Sequence, residues 1–210
     1  MVQKAIQYAI YLHAALGGLA LLSGSIALIA AKGKAVHKRS GKIFYYVMIA
    51  CAAMAMVIAV LPNHRSEFLF SIGVFSSYSV LIGYRALNYK RAKHNFTIDK
   101  IWASILLLTG TAMIAYTLIF ATAKNVVMLV FGIAAIYFAV SDLIAFQHPE
   151  KTRKRWLQLH LGKMTGGFIA ALTAFVVVNQ LLPGVWAWFL PSMVFVPYIV
   201  WQTRKSIPKK

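Results

Sequence analysis

Residues 31–42 read AKGKAVHKRSGK and separate two long apolar stretches of the chain. This short segment carries five basic residues and no acidic one. The same arrangement recurs, and 19 of the 22 lysines and arginines fall into four basic clusters between apolar runs. Cytoplasmic loops of multi-pass membrane proteins carry an excess of lysine and arginine. The pattern therefore predicts a membrane protein and also its orientation.

The four clusters alternate with apolar runs along the whole chain. Their members are Lys32, Lys34, Lys38, Arg39 and Lys42, then Arg85, Lys90, Arg91, Lys93 and Lys100, then Lys151, Arg153, Lys154, Arg155 and Lys163, and finally Arg204, Lys205, Lys209 and Lys210. The remaining three basic residues, Lys4, Arg65 and Lys124, lie at the opposite ends of the runs. All four clusters are therefore predicted to lie on one side of the membrane.

A transmembrane helix needs about 20 mainly apolar residues. Seven stretches qualify: residues 5–31, 43–61, 68–87, 101–123, 126–146, 157–182 and 185–202. The last contains Pro191 and Pro197, so its helix is expected to kink or to find partners for the freed carbonyls. The fold class predicted for residues 1–210 is all-α, a single bundle of seven transmembrane helices. The N-terminus is expected outside and the C-terminus in the cytoplasm.

The composition excludes several classes of protein. It is 60% hydrophobic and 12% charged, whereas a soluble domain has about 25% charged residues. The net charge of +18 does not indicate nucleic-acid binding, because that needs one contiguous basic surface. Anionic lipid headgroups at the cytoplasmic face are the expected partner. The single cysteine, Cys51, lies in an apolar run and is interpreted as a packing residue, and the first span is expected to remain uncleaved.

Of the four acidic residues, three lie at predicted loops and are expected to be solvated: Glu67, Asp99 and Glu150. His94, in a basic loop, is likewise expected to be exposed, and Arg85 to be solvated or bound to headgroups. Asp142 differs because it lies about one turn inside the inner end of the fifth span. Charged groups in the bilayer are costly and tend to be functional.

A polar cluster is predicted near the inner boundary. His160 lies about one turn inside the sixth span, at a depth similar to that of Asp142, and His37 precedes the second span on the same side. Two imidazoles and a carboxylate are a reasonable set of ligands for Zn²⁺ or Fe²⁺. The alternative is an ion pair of Asp142 with Arg85 or Lys163. No HExxH or HxxxH spacing supports the metal.

His13 is a second candidate, as a cofactor-binding residue. It shares one helix face with Gly17 and Gly24, and such a stripe of small residues packs against another helix. His13 is therefore expected to face the bundle and to have a polar partner or ligand. Haem b takes axial histidines, so it could bind to His13 with His64 outside, or to His37 with His160 inside. The simpler alternative for His13 is a hydrogen bond to a neighbouring helix.

Glycines are also frequent in the sixth span, at Gly162, Gly166 and Gly167. They indicate close helix packing, or else a gap that admits a flat cofactor or a lipid.

Two patches resemble a family of uncharacterised bacterial multi-pass membrane proteins. The first runs from His13-x₃-Gly17 through Gly24 to Lys32-Gly33-x₃-His37-x₃-Gly41-x₂-Phe44, and the second comprises Asp142, Arg155, Leu159-His160-Leu161-Gly162-Lys163-Met164 and Ala174-Phe175. The resemblance implies that such proteins share His13, His37, Asp142 and His160, and it implies a place in the bacterial inner membrane. It carries no activity.

Three functions remain open from the sequence. The first is a membrane-embedded enzyme in which a metal at His37, Asp142 and His160 presents hydroxide to a lipid ester or amide. The second is a haem b electron carrier with histidine ligands. The third is a small-solute or proton-linked transporter that uses Asp142 and His13. A small molecule or a lipid is the expected ligand in each case.

Overall fold

The computed structural model describes residues 2–120 and 125–205, and this part of the chain is helical without strands. Eight α-helices follow one another: α1 (Val2–Ile29), α2 (Ala35–Ile58), α3 (Glu67–Arg85), α4 (Thr97–Ile119), α5 (Val126–Gln147), α6 (Pro149–Lys154), α7 (Trp156–Val178) and α8 (Trp186–Lys205). A 3₁₀ turn, Ala86–Asn88, extends α3. Ser66 and Asn125 cap α3 and α5 by accepting hydrogen bonds from Leu69 N and Met128 N.

Six of these helices are long and apolar enough to cross a membrane: α1 to α5 and α7. This confirms the prediction of an all-helical, membrane-spanning protein. The helix α8 has a similar length, but it contains Pro191 and Pro197 and ends in polar residues. The helix α2 begins at Ala35, well before the predicted span, because the basic segment itself is helical. Lys124, Lys209 and Lys210 lie outside the described residues.

The helix α3 is the centre of the bundle and packs against α2, α4 and α7. Of the 18 most apolar consecutive residues of this helix 61% are buried, whereas 17–28% are buried in the corresponding segments of the other five spans. Small side chains make this burial possible, since α3 contributes Ser71, Gly73, Ser76, Ser77, Ser79 and Gly83 to the buried set. Small residues let helices approach closely where no hydrophobic drive brings them together.

The helices α3 and α7 approach each other closely at glycines. A Cβ placed on Gly167 would lie 2.3 Å from Val80 Cγ2, and one on Gly83 would lie 2.9 Å from the backbone nitrogen of Met164. Gly110 of α4 and Gly132 of α5 meet in the same manner, each against the other's carbonyl oxygen. These glycines are therefore required by packing.

The helix α8 extends along the bundle from one end to the other. Near its start, the ring of Trp188 packs 5.2 Å from that of Phe68 at the beginning of α3. Further along, the Tyr198 hydroxyl donates a hydrogen bond of 3.2 Å to the carbonyl of Leu28, in the last turn of α1. The second half of α8 thus lies at the end of the bundle that carries the first basic cluster.

Candidate functional site: two cavities on either side of α7

The first cavity has a volume of about 520 Å³ and lies at the basic end of the bundle. Its apolar wall comes from α1, α2, α7 and α8 and includes Leu28, Phe44, Leu161, Met164, Phe168 and Tyr198. Lys38, Lys42 and Lys90 stand at its rim, and His37 and His160 also line it. The cavity therefore combines an apolar interior with a cationic mouth and two imidazoles.

His37 is held by the end of α1. Gly33 has a positive φ of 77°, which a residue without Cβ adopts at no steric cost, and the turn brings α2 back alongside α1. His37 lies in the first turn of α2, and its Nδ1 is 2.9 Å from the carbonyl oxygen of Ala27. The loop thus fixes the ring orientation.

His160 is held by α3. Its Nδ1 lies 2.8 Å from the carbonyl oxygen of Gly83. Since Gly83 has no side chain, α7 can lie directly against this stretch of α3. The imidazole can then reach a helix carbonyl that a larger residue would cover.

These two hydrogen bonds define the tautomer of each histidine. A carbonyl oxygen only accepts, so Nδ1 of each ring carries the hydrogen. In the neutral imidazole the lone pair is then on Nε2. A backbone carbonyl that accepts from one ring nitrogen while the other nitrogen binds a metal is the usual arrangement of metal-ligating histidine. Two histidines with this arrangement, His37 and His160, line the first cavity.

Asp142 does not join them. It is buried, and its Oδ2 accepts a hydrogen bond from the Tyr78 hydroxyl and forms an ion pair with Lys163. Of the two ion pairs considered from the sequence, the structure shows the one with Lys163, whereas Arg85 pairs elsewhere. Among the described residues no direct hydrogen bond or ion pair joins Asp142 to His160, whose Nδ1 contacts the carbonyl of Gly83 instead.

The predicted metal set of His37, Asp142 and His160 is therefore not supported as a set of three. Asp142 lines a second cavity, of about 550 Å³, on the other face of α7. Within the described residues no three or more His, Cys, Asp or Glu side chains lie close enough to hold a metal ion. The side chains of α7 are divided between the two cavities, since His160 lines the first and Lys163 lines the second. Asp142 and His160 therefore line different cavities, although the sequence predicts a similar depth for them.

His13 lies on the face of α1 that packs against α2, as its glycine stripe predicts. Its Nδ1 is 3.0 Å from the carbonyl oxygen of Cys51 and 3.4 Å from the Cys51 Sγ. This is the simpler alternative, a histidine bonded to a neighbouring helix. Neither His13 nor His64 is among the described residues that line the two cavities.

A polar cluster that was not predicted from the sequence surrounds Asp99, which is fully buried. Arg85 binds both carboxylate oxygens at 2.8 Å, the Tyr89 hydroxyl donates at 2.6 Å, and His94 Nε2 lies 3.1 Å away. Burial is the main cause that raises the pKa of the Tyr89 phenol above its usual range, and the negative charge of Asp99 is the second. The expectation that Asp99, Arg85 and His94 are solvated is therefore wrong, because these side chains bind one another.

A signal for this cluster was present in the sequence. Arg85 and Asp99 flank one short loop between antiparallel helices, so the end of α3 must lie beside the start of α4. The cluster joins these two helix ends. Arg85, Tyr89 and His94 all bond to the Asp99 carboxylate, so we interpret the cluster as a structural link between α3 and α4.

Comparisons of the chain with protein-family models, with curated proteins and with solved structures find no match.

Proposed function

We propose that this protein binds one haem b in the first cavity, between His37 and His160, and acts as an electron carrier in the membrane. The observation that carries the proposal is the pair of histidines, each anchored through Nδ1 to a backbone carbonyl, on the wall of one cavity. When bound, haem supplies one-electron chemistry that no side chain here provides.

The cavity suits this ligand in chemistry as well as in size. Ligand pockets have volumes of about 300–1,000 Å³ and are mainly apolar with a few polar groups. The apolar wall, which includes Phe44 and Phe168, matches a porphyrin ring, while Lys38, Lys42 and Lys90 at the rim match its two carboxylates. Lys32 is less available, because its ammonium caps α1 at Ala27 O, 3.1 Å away.

The metal-dependent hydrolase is supported less well by the same geometry. It needs a carboxylate beside the two imidazoles, and Asp142 is bound to Lys163 and Tyr78 instead. The transporter is also supported less well, because His13 contacts α2 whereas Asp142 contacts α3 and α7. Haem needs only the two imidazoles that the first cavity brings together.

The absorption spectrum of detergent-purified protein tests the proposal. A Soret band and sharp low-spin bands in the reduced protein are expected, since two histidines ligate the iron. His37→Ala and His160→Ala should each abolish the six-coordinate spectrum. His148→Ala is the matched control, because His148 is exposed and outside both cavities. Protein without a Soret band after expression with added haem precursor would refute the proposal.

We also propose that α8 is a seventh span and that the basic end faces the cytoplasm of a bacterial inner membrane. The contacts of α8 at both ends of the bundle, through Trp188 and Tyr198, support the span. The positions of the basic clusters support the orientation. A reporter fused after the last residue should be active in the cytoplasm and not in the periplasm. The opposite pattern would contradict both statements.

A further inference from the structure

The second cavity contains an ion pair that lines its wall. It lies between α5, α7 and α8, with α3 as its floor, and Asp142 and Lys163 both line it. Their side chains are only 6% and 11% exposed. Most of the remaining wall is apolar, so these two residues are its dominant polar feature.

Lys163 keeps donor capacity that the protein does not use. An ammonium has three N–H donors, and among the described residues only the Asp142 carboxylate reaches it. The ammonium also lies 4.8 Å from the ring centroids of Tyr78 and Phe138, which accept no conventional hydrogen bond. A buried donor without a partner is costly, and a ligand with an acceptor oxygen in this cavity would satisfy it.

An aromatic wall continues from Lys163 along the cavity. The rings of Phe138, Phe75, Phe131 and Trp188 follow one another with centroid separations of 5.9, 6.1 and 6.2 Å. Such a row of faces and edges suits a flat ring. The rim includes Val130, Tyr137 and Val196, which are exposed on the membrane-spanning surface. A ligand would therefore enter from the lipid.

We propose that the second cavity binds a membrane quinone, with a ring carbonyl oxygen accepting a hydrogen bond from Lys163. The ligand must be apolar enough to come from the bilayer, flat enough for the aromatic wall, and able to present an acceptor to a buried ammonium. A phospholipid acyl chain satisfies the first requirement alone.

The position of the cavity also favours a redox-active ligand. His160 and Lys163 are three residues apart on α7, a rise of about 4.5 Å, and they face the first and second cavity respectively. In this respect the choice of a quinone rests on the proposed function, since the quinone would exchange electrons with the haem in the first cavity. The binding site itself is inferred from the second cavity alone.

Native mass spectrometry of detergent-purified protein with added decylubiquinone tests the proposal, because it resolves bound haem and bound quinone as separate mass shifts. One quinone per chain is expected, and decylbenzene, which lacks the carbonyls, should not bind. Lys163→Met should weaken quinone binding about tenfold or more, as for loss of a charge-assisted hydrogen bond. Unchanged binding in this variant would overturn the proposal.

Gly166→Leu is the second variant, because it keeps the ion pair. A Cβ on Gly166 meets nothing within 4 Å, and Gly166 lines the second cavity, so a leucine there is expected to occupy that cavity. It should abolish quinone binding and leave haem bound. Gly41→Leu, which has the same free space but lines the first cavity, should do the reverse.

The outcomes separate the two proposals. Haem without quinone in the parent protein overturns the quinone site and leaves the proposed function. Quinone without haem, abolished by Gly166→Leu, does the opposite. Quinone that binds equally to the parent and to Gly166→Leu lies elsewhere and overturns the site.

Discussion

The two cavities lie on opposite faces of α7, and their polar groups are stabilised in different ways. In the first, His37 and His160 bond to backbone carbonyls of other helices and each keeps a lone pair on Nε2. In the second, Asp142 and Lys163 neutralise each other. A neutral imidazole can remain in an apolar wall without a counter-charge, whereas a carboxylate cannot. The first cavity can therefore offer ligands to a metal, while the second offers only the unused donors of a paired ammonium.

The largest expected effect concerns stability. Asp142→Ala leaves the Lys163 ammonium buried without its partner, and breaking a buried pair in this way costs about 3–5 kcal/mol. His160→Ala removes one hydrogen bond to a carbonyl, worth about 1 kcal/mol. Thermal unfolding in detergent, followed by circular dichroism, should show the larger loss for Asp142→Ala.

A double variant supplies the control for that comparison. Asp142→Leu combined with Lys163→Met removes both charges and should recover much of the lost stability, because apolar replacement of a buried pair is often neutral. If the double variant is as unstable as Asp142→Ala alone, the ion pair is not the reason for the loss.

The next effect compares neighbouring glycines of α7. Gly167→Ala places a methyl group 2.3 Å from Val80 Cγ2, and such overpacking costs about 1–3 kcal/mol. Gly166→Ala adds the same group in open space at the second cavity, and a helical alanine is favoured over glycine by up to about 1 kcal/mol. The melting temperature should fall for the first variant only. Equal shifts would mean that α3 and α7 are not in contact at Gly167.

The smallest effect concerns the rim of the first cavity. Lys38→Gln and Lys42→Gln each remove one exposed charge, and an exposed ion pair is worth about 0.2–1 kcal/mol. Haem retained after dilution should therefore fall less than about fivefold for each variant. Lys93→Gln, an exposed lysine outside both cavities, is the matched control. An equal change in the control would indicate a general effect of charge.

Much of the fold could be predicted because hydropathy and charge act locally. In the described part of the chain, six of the seven predicted apolar stretches form helices long and apolar enough to cross a membrane. The glycine stripe of α1 faces α2, with His13 bonded to Cys51. Gly24 shows the limit of such a pattern. A Cβ there would lie 2.6 Å from Phe168 of α7, whereas one on Gly17 would lie 3.7 Å from Cys51 Sγ. The tightest point of the stripe is thus set by a helix distant in the sequence.

The sequence by itself determined that this protein is a helical membrane bundle with one basic end. The backbone in lipid must satisfy its polar groups internally, and apolar stretches of about 20 residues do so as helices. It also singled out the histidines. Only the tertiary structure decided their partners. Depth along a helix is fixed by residue number, but the face that a side chain presents depends on how α7 is rotated against α3. That rotation placed His160 beside the first cavity with His37, and it placed Lys163 against Asp142. The packing of α3 against α4 separately buried Asp99 against Arg85.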